Sequence, residues 1–274
     1  MAGEAYDFIV IGAGSAGCVL ANRLSADPGS RVLLLEAGGR DVNPWIHVPI
    51  GYYRTIFDPK IGWGYQTEPE PNLNGRRVPW PRGKVLGGSS SINGLVYIRG
   101  QREDFDHWRQ LGNPGWSYDD VLPYFKRAED QARGADAWHG TGGPLSVGDS
   151  ARHELVEAYI QACIDLGIPR NDDFNGPVQE GAGYFQLTNR KGFRCSSAVA
   201  YLRPAKRREN LAIATRALVR RIVLDGRRAV AVTWRQNGME RTAAARREIV
   251  LAGGAIGSPQ ILQLSGVGPG EHLR

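Results

Sequence analysis

The chain has 274 residues, 42% of them hydrophobic and 23% charged, which is the make-up of a globular protein and excludes a disordered or fibrous one. Its net charge of +6 rests on arginine, since only five of the 34 basic residues are lysines (Lys60, Lys84, Lys126, Lys191 and Lys206). The arginines thicken between Arg203 and Arg247 in strand-like alternation, with no aromatic-interleaved recognition helix, so the basic balance reads as scattered surface charge and no nucleic-acid partner is expected.

Residues 6–11 (YDFIVI) predict a buried strand, followed by a glycine turn and a helix from about Ser15 to Leu24. Asp27-Pro28-Gly29 breaks that helix, and Val32 to Leu35 forms a second apolar strand. Parallel strands need such a crossover. From Gly38 to Pro81 the pattern is irregular and rich in Gly, Pro, Trp and Tyr, and a loop of that length is usually functional. Residues 104–130 read as helix and turn, with Trp108, Trp116 and Tyr124 as candidate core. A helix is predicted over His153 to Leu166, because Leu155, Tyr159, Ala162 and Leu166 recur at helical spacing. Alternating runs at 211–215, 218–224, 228–235 and 239–244 then predict an antiparallel meander, turned at Asp225-Gly226 and Asn237-Gly238 by dipeptides that favour positive φ. A strand from Glu248 to Ala252 follows, then a helix capped by Ser258 with Pro259 at its first position.

The apolar stretch from Phe8 to Ala21 is broken by Gly12, Gly14 and Gly17 and is too short to span a bilayer. Glu4 and Asp7 stand where a signal peptide would carry positive charge. Cys18, Cys163 and Cys195 are odd in number and show no CxxC or metal spacing, so reduced thiols, no metal and a cytoplasmic location are expected.

Chemistry enters at Gly12-Ala13-Gly14-Ser15-Ala16-Gly17. This GxGxxG follows a strand, opens a helix and is answered by Glu36 at the end of the next strand, 19 residues after Gly17. In that reading Gly12 permits the tight turn, Gly14 admits a pyrophosphate and Gly17 lets helix pack on strand. The helix N-terminus supplies N–H donors. Glu36 accepts from ribose hydroxyls, and an acid there disfavours NADP. A second glycine-rich element, Arg82-Gly83-Lys84-Val85-Leu86-Gly87-Gly88-Ser89-Ser90-Ser91-Ile92-Asn93-Gly94, lacks the Gly-Lys-Ser order of a Walker loop. Its row of small residues allows backbone to lie against a flat ring or a diphosphate. Together with the N-terminal position and Ala37-Gly38-Gly39 it favours FAD over NAD.

Segment 83–106 resembles the first signature of the glucose–methanol–choline oxidoreductase family. Segment 254–268, Gly-Ala-Ile-Gly-Ser-Pro-Gln-Ile-Leu-Gln-Leu-Ser-Gly-Val-Gly, is similar to its second signature at every fixed position. The resemblance implies an α/β fold: a Rossmann-like FAD-binding domain with an antiparallel β-meander, plus an incomplete substrate domain. The expected organisation is 1–150 as the first part of the FAD-binding domain, with a flavin-covering loop at about 38–100. Residues 151–205 are expected as a substrate-domain segment and 206–274 as the second part of the FAD-binding domain. By the same resemblance Gly12, Gly14, Ser15 and Gly17 hold the pyrophosphate and Glu36 the adenosine ribose. Arg82, Gly83, Gly88, Ser89, Asn93, Gly94, Leu95 and Val96 line the diphosphate and isoalloxazine, and Val219 meets the adenine through its backbone. Ile92 stands where some members carry a histidine bonded to the flavin, so non-covalent FAD is expected.

The activity implied is oxidation of a small-molecule alcohol by hydride transfer from the carbinol carbon to flavin N5. The segments around Trp63-Gly64-Tyr65 and Asp172–Gly176 are most similar to choline-dehydrogenase-like alcohol dehydrogenases. The electron acceptor is unidentified. A peroxide-producing oxidase, a light-driven decarboxylase of the same family and a non-catalytic flavin-binding module are the alternatives, and a homo-oligomer is left open. None of His47, His107, His139, His153 and His272 matches the family's catalytic histidine, so no catalytic residue is assigned. The resemblance places that histidine, and the C-terminal half of the family's chain, beyond Arg274, and the 274 residues alone are expected to be inactive in alcohol oxidation.

Overall fold

The computed structural model describes residues 4–273. It divides into two compact units, Met1–Asn93 with Ser196–Arg274, and Gly94–Cys195. Those divisions differ from the boundaries at 150 and 205 drawn from sequence, because residues before 150 pair with residues after it. Glu129–Gln131, Leu145–Asp149 and Gln186–Leu187 form one three-stranded sheet within the second unit.

In the first unit, β1 (Ala5–Ile11) is followed by α1 (Ser15–Leu24) and β2 (Val32–Leu35). β1 and β2 pair in parallel from Phe8↔Val32 to Ile11↔Leu35. The strand Leu211–Ala214 extends this parallel sheet beyond β2, from Val32↔Leu211 to Leu35↔Ala214. Its run was expected to open the meander. Its sequence, LAIA, has no alternating polar position, which is the pattern of a strand covered on both faces.

The meander itself is three strands, Leu218–Asp225, Arg228–Gln236 and Met239–Leu251. Asn237 (φ 52) and Gly238 (φ 80) both adopt positive φ between the paired Gln236 and Met239, as a two-residue hairpin turn requires. At the other turn Asp225 pairs with Arg228, so the central residues are Gly226 and Arg227, and only Gly226 (φ 56) is positive. The runs 239–244 and 248–252, expected as two strands, are one. Met239–Leu251 pairs antiparallel with Arg228–Gln236 through its first half and parallel with β1 through its second, from Ala5↔Ala244 to Ile11↔Leu251. The sheet therefore runs Leu211–Ala214, β2, β1, Met239–Leu251, Arg228–Gln236, Leu218–Asp225. Ile9, Ile11, Leu33 and Leu35 pack with Val219, Ile222, Val232 and Trp234 in one cluster. Full burial of each aliphatic side chain is worth roughly 1.5–3 kcal/mol. Among the described residues no helix is long and apolar enough to cross a membrane.

In the second unit the helices are Arg102–Gln110, Tyr118–Ala128 and Glu154–Asp165. Trp108, Trp116 and Tyr124, expected as core, are 46%, 52% and 63% exposed. Phe105 and Tyr118 are buried in their place, and Trp108 meets Phe105 and Trp116 edge-on. The helix Glu154–Asp165 has the expected period, but Ile160 faces inward while Leu155, Tyr159 and Leu166 face solvent. Several alternative faces of a short helix carry apolar residues, so spacing alone did not choose among them.

A buried charge cluster holds the second unit together. Arg99 Nη2 donates to Glu129 Oε2 at 2.7 Å, and both side chains are essentially inaccessible. Protonated His139 donates to Glu129 Oε1 at 3.1 Å and to Asp173 Oδ2 at 2.9 Å. The hydrogen bonds to Asp173 and Glu129 lift the His139 pKa to about 9. Burial pushes Asp173 up, but the His139 bond and the Asn175 N–H outweigh it and hold that carboxyl below its usual range. A histidine whose folded pKa lies above its unfolded value of about 6.5 stabilises fully below 6.5 and loses that contribution as pH rises through the folded pKa. Denaturant unfolding of the chain should therefore show stability falling between about pH 6.5 and 9 by roughly 2 kcal/mol, a slope that His139→Gln should abolish.

Candidate functional site

The first loop of the site joins β1 to α1. Gly12 has φ 98, and a Cβ there would lie 2.5 Å from the Ala252 carbonyl oxygen. A Cβ on Gly17 would fall 1.8 Å from the Gly12 carbonyl oxygen, so helix and strand meet only because the residue is glycine. Gly14 is the N-cap of α1, with open space where a side chain would go. No side chain caps α1 and no acid sits in its first turn. Its first N–H groups, with the positive end of the helix dipole, are left for a ligand.

The second loop is laid against the first. Gly87 N donates to Ala13 O at 2.8 Å, and a Cβ on Gly88 would meet the Gly14 Cα at 2.7 Å. Gly83 N donates to Ser89 Oγ at 3.1 Å, which fixes Arg82 and Gly83 beside that contact. Glu36 directly follows β2 and is buried. Its Oε2 accepts from Ala13 N at 2.9 Å and its Oε1 from Gly38 N at 2.8 Å. Burial pushes the Glu36 carboxyl above its ordinary range, against the pull of the two amides and the Lys84 ammonium.

A third element completes the site. The strand Met239–Leu251 leads through Gly253 into the helix Gly254–Leu264. Sequence placed the start of this helix at Ser258-Pro259. It begins five residues earlier, with Gly253 as N-cap, no side-chain cap, no acid in the first turn and Pro259 inside. The helix is thus a second one with an open N-terminus, reached from a strand parallel to β1 just as α1 is.

These elements enclose a cleft of about 690 Å³, in the size range of small-molecule and cofactor sites. Nine of the fourteen residues expected at a cofactor line it. Gly12, Gly14, Ser15 and Glu36 come from the first βαβ unit, Arg82, Gly83, Gly88 and Ser89 from the second loop, and Val219 from the meander. Gly17 lies beneath the loop as its packing point. Asn93 ends the first unit and does not line the cleft; Gly94, Leu95 and Val96 belong to the second unit. The cleft also takes in Leu218, Ile261, Gly253 and the first turn of the following helix, Gly254–Ser258, none of them among the expected cofactor residues, and Trp63 and Tyr65 from the loop expected to cover the flavin. The parallel strand ending in Gly253-Gly254 was a legible signal for that turn, since it repeats the strand–glycine–helix order of residues 6–17.

No histidine or cysteine lines the cleft among the described residues. His47 lies beside Asp41, His139 is in the buried charge cluster, and His153 caps the helix Glu154–Asp165. Burial pushes the Cys18 thiol up to about 12, so this cysteine is packing. Ile92 is buried with Ile46, Ile61 and Val85.

A parallel sheet whose first crossover presents an open helix N-terminus, with a carboxylate at the end of the second strand, defines a dinucleotide-binding α/β protein. A family model described as GMC oxidoreductase matches residues 6–273, and the chain belongs to that family. It is 46% identical over 269 residues to an oxygen-dependent choline dehydrogenase of Sinorhizobium fredii, covering 98% of this chain and 49% of the relative. It is 46% identical over 279 residues to the mitochondrial choline dehydrogenase of Mus musculus, covering 99% and 47%. The crystal structure of pyridoxine 4-oxidase from Mesorbium loti superposes with a TM-score of 0.94 at 38% identity, over 98% of this chain and 53% of that one. The chain thus spans about half the length of the curated relatives it matches.

FAD is the cofactor of this family, and the cleft fits it. Gly14 leaves room at an uncapped helix N-terminus, and the two glycine-rich loops touch at backbone level beside it. Gly17→Ala should force α1 away from the β1 turn, since its Cβ would fall on the Gly12 carbonyl oxygen. Thermal melting should show a loss of roughly 2 kcal/mol or more, the scale of an overpacked core site, while Gly14→Ala, pointing into open space, should melt near the wild-type temperature.

Proposed function

We propose that the cleft holds FAD non-covalently and that the protein oxidises a small-molecule alcohol, with hydride transfer from the carbinol carbon to the flavin. The observation that carries the reading is the convergence of two helix N-termini, α1 and Gly254–Leu264, both without a side-chain cap or first-turn acid, on one cleft beside Glu36. Amide dipoles of that kind favour a diphosphate.

In this reading Gly12, Gly14, Ser15 and Gly17 shape the pyrophosphate loop and Glu36 accepts from the adenosine ribose. Val219 offers backbone to the adenine. Arg82, Gly83, Gly88 and Ser89 flank the diphosphate, and their place in the cleft's lining supports the assignment. The assignment of Asn93, Gly94, Leu95 and Val96 to the isoalloxazine rests on sequence resemblance. Ile92, an aliphatic side chain in an apolar cluster, offers no atom for a covalent flavin bond. The bound flavin supplies the hydride acceptor, and the residues of this chain bind and orient it. Relatives named choline dehydrogenase make choline the first alcohol to try, with pyridoxine, from the name of a structural neighbour, as the second.

Titration of the apo chain with FAD tests the binding reading; the 274 residues alone are expected to leave the flavin unbleached by choline or pyridoxine, so anaerobic bleaching tests the reaction in a chain of the relatives' full length. A chain that stays colourless after FAD exposure and gel filtration would sink the first. After denaturation and filtration the flavin should separate from the polypeptide. Glu36→Gln sets an NH2 donor against a backbone N–H donor. It should weaken FAD binding about tenfold or more, the scale of a lost charged hydrogen bond. Dioxygen as electron acceptor is the second reading, favoured by the oxidase name of the structural neighbour, and oxygen consumption during turnover decides it.

A further inference from the structure

Trp63 and Tyr65 take no part in the reading above, yet both line the cleft. They sit two residues apart, separated by Gly64 at φ 68, and their rings come side by side. The segment is tied to the second glycine-rich loop. Gly62 bridges Gly83, Trp63 N donates to Arg82 O at 3.0 Å, and Trp80 N donates to Tyr65 O at 2.8 Å. The two rings are parallel to within 4°, with centroids 5.7 Å apart. The Lys84 ammonium lies 4.6 Å from the Trp63 ring centroid, which pins the indole from one side. Both aromatic residues are half-buried. Burial raises the Tyr65 phenol, so it stays neutral.

Among the described residues Trp63 and Tyr65 are the only aromatic side chains lining the cleft, and its glycine loops supply directional donors but little area for a flat ring. An aligned aromatic pair, held by a cation and a backbone ladder, supplies that area at small cost in ordering, because its geometry is already set. We propose that Trp63 and Tyr65 are a stacking wall for a planar heteroaromatic ring of the bound dinucleotide, with Lys84 as the residue that positions them. The inference rests on the dinucleotide reading of the cleft. The shared chemistry is a flat π face, which both the adenine and the isoalloxazine carry.

The test is direct binding of FAD, ADP and FMN to the full chain and to Trp63→Ala, Tyr65→Ala, Trp63→Leu and Trp63→Phe, with circular dichroism as the check on folding. Trp63→Leu keeps an apolar side chain and guards against loss of fold in Trp63→Ala. Trp63→Ala and Trp63→Leu are each expected to weaken FAD about tenfold or more, the scale of one base–aromatic stack, and Trp63→Phe to stay within about threefold of wild type. A parallel loss on ADP alone assigns the ring to adenine, and on FMN alone to the isoalloxazine; either supports the wall. Wild type binding FAD while Trp63→Leu and Tyr65→Ala bind it equally well overturns the wall and leaves the dinucleotide reading standing. Wild type binding none of the three probes overturns both.

Discussion

Backbone-to-backbone contact at glycine is the constraint on which the site depends. Gly12, Gly17 and Gly88 each lie where an added Cβ would come within 2.7 Å of another segment's backbone: the Ala252 carbonyl, the Gly12 carbonyl and the Gly14 Cα respectively. Three stretches of chain, around residues 12–17, 88 and 252, thereby meet with no side chains between them. The one glycine in the group that faces open space is Gly14, at the start of α1. Packing that closes every other direction leaves this direction as the way for a ligand to reach the helix N-terminus.

Electrostatics follow from the same geometry. Both helices that open onto the cleft begin without a capping side chain and without an acidic residue in the first turn. The other long helices begin with a capping side chain or an acidic first turn, as Ser117 and Asp120 provide for Tyr118–Ala128 and His153 for Glu154–Asp165. Among the described helices of eight or more residues, N-termini without a cap or a first-turn acid thus occur only where an anion is welcome. The one carboxylate near them, Glu36, has an oxygen committed to each of two backbone amides. It braces the loop between β1 and α1 as well as facing the cleft, so its charge is shielded from the phosphate region by the donors it accepts from.

The βαβ unit was legible because its signals are local and reinforce one another: an apolar run, glycines at fixed offsets, a helix period, a second apolar run and an acid. The continuity of the two strand runs near the C-terminus was not, since pairing on two edges of one strand leaves no mark in its own residues. Met239–Leu251 alternates in its first half and is apolar in its last residues because its neighbours change from antiparallel to parallel partway along. The start of the following helix was misplaced for a related reason. Ser258-Pro259 is a good cap in isolation, but a cap whose amides serve a ligand needs no side chain. Trp63 and Tyr65 reach the cleft through the bridge between Gly62 and Gly83, a contact between segments that no spacing within either reveals. In the second unit, Trp108 and Trp116 were misjudged because size and hydrophobicity say nothing about which rim of a small helical pair a ring will occupy.

The central strand carries a consequence for biosynthesis. On one edge Ile9 is matched with Leu33, and on the other with Ile249. As the nascent polypeptide leaves the ribosome, the first match closes after two dozen residues, whereas the second waits for nearly ten times as many. During that interval the sticky edge of a largely apolar segment has no mate, the circumstance in which newly made chains recruit chaperones or stick to one another. Such distant pairing also makes for slow acquisition of the native state. Yield from a cell should accordingly depend on translation speed and chaperone supply more than on the final stability of the sheet.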